Sequence, residues 1–489
     1  MLSHLKNEGN LTSTENGAVT YMSTMSHCLN FFATIGALRS ADKQEIIHRF
    51  VRAFAEDADT AMKILFFGRD IRGGLGERRI FRIIIKYLAN SHPESIRKNL
   101  SLIPEYGRFD DLISLLGTAC EKDALQVIRK QLETDLTPNA QVSLLAKWLP
   151  SVNASNADTV RNAKRIARFL GMTDAQYRKT LVELRKKIHI IENNLRERDY
   201  SFDYAKQPSK AMFKYRKAFL RNDRKRYRAF LKAVTNGEQQ LHADTLVPYE
   251  IVRSALNLSF LGFNSKLTND DKAALNASWA ALPNFCDGRN AIAVVDTSGS
   301  MYSYDNALPA AVAFSLGLYF GERNTGIFHN HFIEFSSRPQ LIEIKGQTFS
   351  DRLEYLCTFN KVADTNIEAV FDLILDAAVR NRIPQEEMPE TLYFISDMEF
   401  NCCVCNASLT NFENAKQKYT KQGYTLPQIV FWNVASRNRN QPVTKNEQGV
   451  ALVSGCTPRL FSMITSGDLS PYTVMMEIFS SERYARISA

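Results

Sequence analysis

The sequence predicts a two-part protein: an all-α stretch of stacked helical pairs, then an α/β domain with a doubly wound, mostly parallel sheet. Three observations predict it. From about Met22 to Asn236, apolar residues recur at three- and four-residue spacing with only short breaks. Beyond Pro283, short apolar runs alternate with helical stretches, the pattern of a parallel sheet covered on both faces. At 489 residues, the chain also exceeds one ordinary core.

In the first part, Ile46, Phe50 and Phe54 fall at four-residue spacing, and Ile47 and Val51 widen the stripe. A second helix opens at Gly76-Glu77 and carries Ile80, Phe81, Ile84 and Leu88. Others cover Leu112 to Leu116 and Leu125 to Leu132. Thr173-Asp-Ala-Gln176 reads as a capping box before Tyr177, Leu181 and Ile188. Breaks at Asn90-Ser-His-Pro93 and Leu136-Thr-Pro138 separate the pieces. Modest helices with short breaks imply HEAT-like pairs in a ring or solenoid, although no strict sequence period is visible. The boundaries expected are a tail over 1–22, a helical domain over 23–282 and the α/β domain over 283–489, with 238–282 as connector and last helices.

In the second part, Ala291 to Val295 reads as a strand and Ala307 to Phe320 as a helix. Ile327 to Phe335 and Gln340 to Ile344 read as paired strands. Ile367 to Val379 is a helix, Thr391 to Ile395 a strand and Asn411 to Lys421 a helix. Gln428 to Val434 and Val450 to Val453 complete the strands, and helices follow near Pro458 and Pro471.

Composition narrows the class. An apolar fraction of 45% with 10% aromatics belongs to a folded globular chain. No uninterrupted apolar run reaches membrane-spanning length, so no membrane partner is expected. The first residues lack the basic and apolar regions of a secretory signal. Eight scattered cysteines are not a disulfide framework, so reduced thiols and a cytoplasmic address are expected. The net charge of +9 is concentrated: Lys206 to Lys232 holds eleven Lys or Arg and one acid, Asp223, a net +10 that leaves the remainder close to neutral.

Asp296 ends the first strand of the α/β part and is followed by Thr297-Ser298-Gly299-Ser300. Asp-x-Ser-x-Ser on a tight loop directs one carboxylate and two hydroxyls at a common centre. Such hard oxygen ligands suit Mg²⁺ or Mn²⁺. In this type of fold, ligands sit at the carboxyl ends of strands where strand order reverses. Thr365, just before the helix from Ile367, can add a hydroxyl there, and Asp397, just after the strand ending at Ile395, a second carboxylate. The competing reading is an N-cap with turn-forming hydroxyls.

Val294-Val295-Asp296-Thr-Ser-Gly-Ser300-Met301 resembles the metal-ion-dependent adhesion site of von Willebrand factor type A (VWA) domains, with Thr365 and Asp397 at the matching later positions. The resemblance implies that Ser298, Ser300 and Thr365 bind the ion directly, that the two aspartates act directly or through water, and that a partner's carboxylate or a water completes the shell. Some VWA domains hold the ion only structurally.

Other chemistry has less support. A phosphoryl-accepting Asp296 would want a second aspartate at 298, where Ser stands. No Ser-His-Asp set is visible. His329 and His331 alternate along an expected strand and so share a face. Cys402, Cys403 and Cys405 cluster, but Cys456 is the lone nearby candidate to complete a zinc set. Arg69-Asp-Ile-Arg72-Gly73-Gly74-Leu-Gly76-Glu77-Arg78 is not a P-loop, because no Gly-Lys-Ser/Thr follows and no strand precedes it. Its glycines permit a tight turn, and Arg72 and Arg78 leave open a phosphate contact at the next helix N-terminus.

In the basic segment, Lys210, Lys214, Lys217, Arg221, Arg224 and Arg228 recur every three or four residues, with Arg216 and Lys225 beside them. Tyr215, Phe219, Tyr227 and Phe230 are interleaved. Such a face can neutralise phosphates and offer rings for stacking. The alternative is a solvated cationic face with its aromatics packed inward. Arg161, Lys164, Arg165, Arg168, Arg178 and Lys179 can extend the basic surface.

Four phrases resemble, in order, the TROVE module of the Ro autoantigen family and a related group of TROVE-like VWA proteins. They are Arg69 to Phe81, Ile103-Pro-Glu-Tyr-Gly-Arg-Phe-Asp-Asp-Leu112, Leu145-Ala-Lys-Trp-Leu-Pro150 and Tyr177-Arg-Lys-Thr-Leu181. The resemblance spans nearly the whole chain, although the helical part is shorter than the Ro module. It implies a ring of HEAT-like pairs closed by the VWA domain, with RNA partners: single-stranded ends in a basic hole and structured, small or defective non-coding RNA outside. The expected function is therefore a non-catalytic ribonucleoprotein component, with Mg²⁺ in the VWA domain and an acidic protein ligand as a second partner. The alternatives are a metal-dependent protein scaffold without RNA, and a Mg²⁺-dependent hydrolase.

Overall fold

The computed structural model describes residues 9–139, 141–188, 190–257, 262–303, 307–335, 338–359, 366–401, 410–464 and 469–489. They form two compact units that the chain visits alternately: residues 1–42 with 204–481, and residues 43–203 with 482–489. Sequence order and compactness thus diverge. The basic segment belongs to the unit that holds the sheet, whereas the expected boundary lies near 283.

In the first unit, a six-stranded sheet has the order β10-β9-β8-β5-β6-β7. Its strands are β5 (Ala291–Asp296), β6 (His331–Phe335), β7 (Gln340–Glu343), β8 (Thr391–Ser396), β9 (Gln428–Asn433) and β10 (Val450–Ser454). All neighbours are parallel except the β6–β7 pair. Alternation along the strands sends Ile292, Val294, Leu392, Phe394, Ile429 and Phe431 to one face, under the helices Ile367–Asn381 and Asn411–Lys421. The other face meets the helix Leu308–Arg323, buried along most of its length. Gly317 permits its close approach, since a Cβ there would lie 2.3 Å from Cγ2 of Val295.

The strand expected from Ile327 begins only at His331. Residues 327–330 form a turn with Asn330 at φ 59°. His329 is therefore not on a strand face: its Nδ1 lies 2.6 Å from the Asn324 carbonyl oxygen. The expected tail is also structured from residue 9. β1 (Leu11–Ser13) and β2 (Val19–Tyr21) form an antiparallel hairpin, and the helix His27–Ile35 follows with Ser26 as its N-cap. A short two-stranded ladder pairs β3 (Leu256–Asn257) with β4 (Gly262–Phe263).

The second unit is helical. Lys43–Glu56 buries Ile46 and Phe50, but Val51 faces solvent, and Arg49 and Ala53 complete the buried side. Ala58–Arg69, Arg78–Ser91, Glu121–Leu136, Ala157–Phe169 and Asp174–Lys187 follow. The capping box of the last is present: the Gln176 amide donates to Thr173 Oγ1, and the Thr173 amide to Gln176 Oε1. The four phrases singled out in the sequence meet in pairs. Arg69, 1% exposed, donates to Asp111, 0% exposed, which also accepts from Arg82. Gly107 makes room, because a Cβ there would lie 2.4 Å from Asp111 Oδ2. Tyr177 donates its hydroxyl proton to the Pro150 carbonyl at 3.0 Å, and Arg185 donates to the carbonyls of Ala146 and Leu149.

The turn between Arg69 and Arg78 is held from within. Asp70 Oδ1 accepts from the amides of Arg72 and Gly73, and Gly76 has φ 73°. A Cβ on Gly74 would lie 2.0 Å from the Phe67 carbonyl oxygen, so packing and φ account for these glycines. Residues 482–489 return to this unit. Arg483 grips the fully buried Asp70 through both carboxylate oxygens, and the Tyr484 hydroxyl donates to the same group at 3.1 Å. Among the described residues, no helix is long and apolar enough to cross a membrane.

Arg483→Ala leaves the Asp70 charge buried with neutral donors only. The helical unit should lose about 3 kcal/mol, read as a lower denaturant midpoint for that unit.

Candidate metal site and basic surface

Strand β5 leads to β6 on one side and β8 leads to β9 on the other, so the order reverses between β5 and β8. Both candidate carboxylates stand at this crevice. Asp296 is the last residue of β5, and Asp397 follows β8 directly. Asp296 is 0% exposed, Asp397 2% and Ser298 3%. Asp296 Oδ1 accepts from the Ser298 amide at 2.8 Å, and Oδ2 accepts from the Ser396 hydroxyl. The hydroxyls of Ser298 and Ser300 are 3.1 Å apart. Four of the five expected ligands, Asp296, Ser298, Ser300 and Asp397, therefore stand at this crevice. The fifth, Thr365, lies outside the described residues, as do Cys402, Cys403 and Cys405. Cys456 is buried and accepts from the Arg39 guanidinium.

Burial and the neighbouring Asp397 push the Asp296 carboxyl up to about 7. A group raised this way opposes ionisation, and a bound dication would restore it. The wider surroundings are anionic too: Glu334 is 5% and Glu399 1% exposed. Glu334 accepts from Thr297 Oγ1 at 2.5 Å. Arg437 reaches Asp397 Oδ2 at 2.9 Å. The donor set fits Mg²⁺ or Mn²⁺: hard oxygens, two buried carboxylates in mutual repulsion and two hydroxyls at hydrogen-bond distance. Among the described residues, no three His, Cys, Asp or Glu side chains converge as a metal set. The hydroxyls are thus integral to this reading. Zn²⁺, which prefers nitrogen and sulfur, suits them poorly.

Sequence reasoning missed the layer above the site. The β1–β2 hairpin lies on the loop after β8: Thr14 Oγ1 donates to the Phe400 carbonyl, the Glu15 amide to Glu399 Oε2 and Asn16 Nδ2 to the Glu399 carbonyl. Glu15 pairs with Arg437 at 2.7 Å. Burial raises the Glu399 carboxyl, against hydrogen bonds that favour its charge. Met398, between the two acids, has φ 68°, uncommon for a residue with a side chain. No local motif announces these contacts, since they join residues almost four hundred positions apart.

The basic segment forms two helices, Ser209–Asn222 and Arg224–Thr235. Their aromatics face inward. Phe219, Tyr227 and Phe230 pack around Tyr204, with ring centroids 5.1 to 5.4 Å away. These rings are therefore not a stacking platform; Tyr215 remains half-buried beside Lys214. The cations separate into two groups. Arg224 and Arg228 both pair with Asp270, Lys210 pairs with Glu250, and Arg216 lies over the Phe213 ring at 4.1 Å with burial lowering its basicity. Lys214, Lys217, Arg221, Lys225 and Lys232 are exposed. Among the described residues, none of the five has a carboxylate at ion-pair distance. Arg72 and Arg78 are exposed in the helical unit, where Arg72 donates to the Glu105 carbonyl. The sequence-predicted basic residues are thus divided between the two units.

Residues 14–131 and 121–284 match the family described as Domain of unknown function (DUF2828), which together cover more than half of the chain. This chain belongs to the DUF2828 family. Its sheet-bearing part, residues 290–473, matches a second description, Domain of unknown function (DUF7788). The DUF2828 match runs from the turn after β1 through residues 43–203 and the basic helices, so both compact units contain part of it. An uncharacterized protein of Acanthamoeba polyphaga mimivirus is 28% identical to this DUF2828 protein over 514 aligned positions, covering 96% of this chain and 87% of the viral one. Among solved structures, the Ro (RSR) protein of Deinococcus radiodurans is similar with a TM-score of 0.40 and 14% identity, covering 95% of this chain and 99% of that one.

Asp296→Asn keeps the side-chain shape and removes one of two buried like charges. Metal-free protein should gain about 1–2 kcal/mol, seen as a higher melting temperature in EDTA. The same variant should show no further rise on adding Mg²⁺.

Proposed function

We propose that this chain is a non-catalytic RNA-binding protein of Ro-like type, whose α/β part is a VWA-like domain holding Mg²⁺ for partner docking. The observation that carries the RNA reading is the exposed set Lys214, Lys217, Arg221, Lys225 and Lys232, which lacks carboxylate partners among the described residues. Cations without internal carboxylate partners can exchange counterions for phosphates, which makes affinity steep in salt. The TROVE-like order of the four sequence phrases supports the same class, with small or defective non-coding RNA as the ligand. Five described cysteines are free thiols, in keeping with a cytoplasmic address.

The metal reading is supported by the placement of Asp296, Ser298, Ser300 and Asp397 at the reversal of strand order. When bound, the ion would offer an open position to a carboxylate or water. The chain's own contribution is to orient the ligands: the Ser298 amide and Ser396 hydroxyl fix both oxygens of Asp296. A second reading, a protein-interaction scaffold that does not use RNA, is favoured by this site alone.

Reversing Lys214, Lys217, Arg221 and Lys225 to Glu in a folded protein should abolish retention of co-purifying RNA, read by A260/A280 and sequencing. The salt dependence of residual binding should flatten. Reversing Arg224 and Arg228, already paired with Asp270, should have the smaller effect. Undiminished RNA binding in the first variant would refute the RNA reading. Asp296→Ala combined with Ser298→Ala should eliminate Mn²⁺ binding in a direct titration while sparing RNA affinity. RNase-insensitive, EDTA-sensitive capture of an acidic protein would instead support the scaffold.

A further inference from the structure

The contacts of Arg437 define a relay that the metal reading by itself does not explain. Its guanidinium bridges two carboxylates from distant segments, Asp397 Oδ2 at 2.9 Å and Glu15 Oε2 at 2.7 Å. The other oxygen of Asp397 accepts the Glu399 amide at 3.2 Å. Both oxygens of this candidate ligand are thus engaged, one by a full positive charge. Asp397 and Glu15 together hold Arg437 more basic than usual, although burial works the other way. Glu15 is held in place as well: its amide is fixed at 2.9 Å on Glu399, and Asn438 donates to its Oε1 at 2.9 Å.

A dication served by Asp397 would be drawn to the carboxylate that Arg437 already occupies. Two like charges on one buried carboxylate repel far more than they would in water. We propose that Arg437 is the resident counter-ion of the metal site, held ready by Glu15, and that a divalent ion must displace it from Asp397. Metal occupancy and docking of the β1–β2 hairpin then oppose each other. Linkage makes this reciprocal: whatever the hairpin costs the metal, the metal costs the hairpin. The inference rests on the metal reading given above.

The test is a Mn²⁺ titration of the full chain, with free Mn²⁺ read by electron paramagnetic resonance. Wild type, Arg437→Gln and Arg437→Lys are compared. Gln fills similar space without charge and should bind Mn²⁺ about tenfold more tightly; Lys should remain near wild type. Wild-type binding with equal or weaker binding by the Gln variant overturns the counter-ion role and leaves the metal reading intact. No Mn²⁺ binding by either overturns both. A second measurement needs only wild type: amide hydrogen exchange over residues 14–18 should accelerate on adding Mn²⁺. Unchanged or slower exchange there, with Mn²⁺ bound, also overturns the proposal and covers a Gln variant that fails to fold.

Discussion

The carboxylate of Asp296 is buried completely at the end of the central strand, and the arrangement around it follows from holding that charge out of water. An isolated anion there would be prohibitive. Two donors, the Ser298 amide and the Ser396 hydroxyl, reach its oxygens, and β5 is aligned with β8 by five consecutive register pairs that fix where Ser396 falls. Asp397, one residue further, brings a second buried charge to the same crevice. Packing therefore creates an electrostatic deficit that the sheet's side chains do not cancel, and that a cation is suited to fill.

The hairpin answers part of this deficit from an unexpected direction. Its Glu15 engages Arg437, which engages Asp397, while its backbone and side-chain donors satisfy Glu399. Residues 14–16 thereby become part of the electrostatics of the strand ends. The helical unit uses the same economy. Arg69 and Asp111 form a buried ion pair beside Gly107, with the partly exposed Arg82 on the same carboxylate, and Arg483 returns from the far end of the chain to neutralise Asp70. In both units a buried acid is paired with an arginine distant in sequence, a placement that couples fold specificity to the order of the segments.

The basic surface and the candidate metal site, as proposed, would make independent demands on a partner. On the proposed reading, Lys214, Lys217, Arg221, Lys225 and Lys232 would suit a diffuse polyanion, because they are exposed and, among the described residues, have no carboxylate at ion-pair distance. The crevice, on the proposed metal reading, would take one ion and one directed oxygen ligand. Reading the two as separate surfaces explains why loss of one should leave the other working, although both belong to the same compact unit.

Much of this was legible in the sequence. The alternation of strands and helices after Pro283, the Asp-x-Ser-x-Ser loop with Asp397, the Thr173–Gln176 capping box and the tight glycine turn all rest on local rules: period, capping, φ and spacing. In the basic segment the spacing pointed to Lys214, Lys217 and Arg221, which are exposed, but the series runs across the break at Asp223 between two helices, and Lys232 stood outside it. Tertiary structure decided what local rules leave open. It turned Phe219, Tyr227 and Phe230 inward onto Tyr204, tied Arg224 and Arg228 to Asp270, and took Val51 out of the core. It also folded residues 9–22 into a hairpin over the site and grouped the basic helices with the sheet. Each of these outcomes depends on which distant side chain supplies the counter-charge or the apolar surface. A pattern read along the chain carries the period of an element, whereas its partner is set by contacts between residues far apart in sequence.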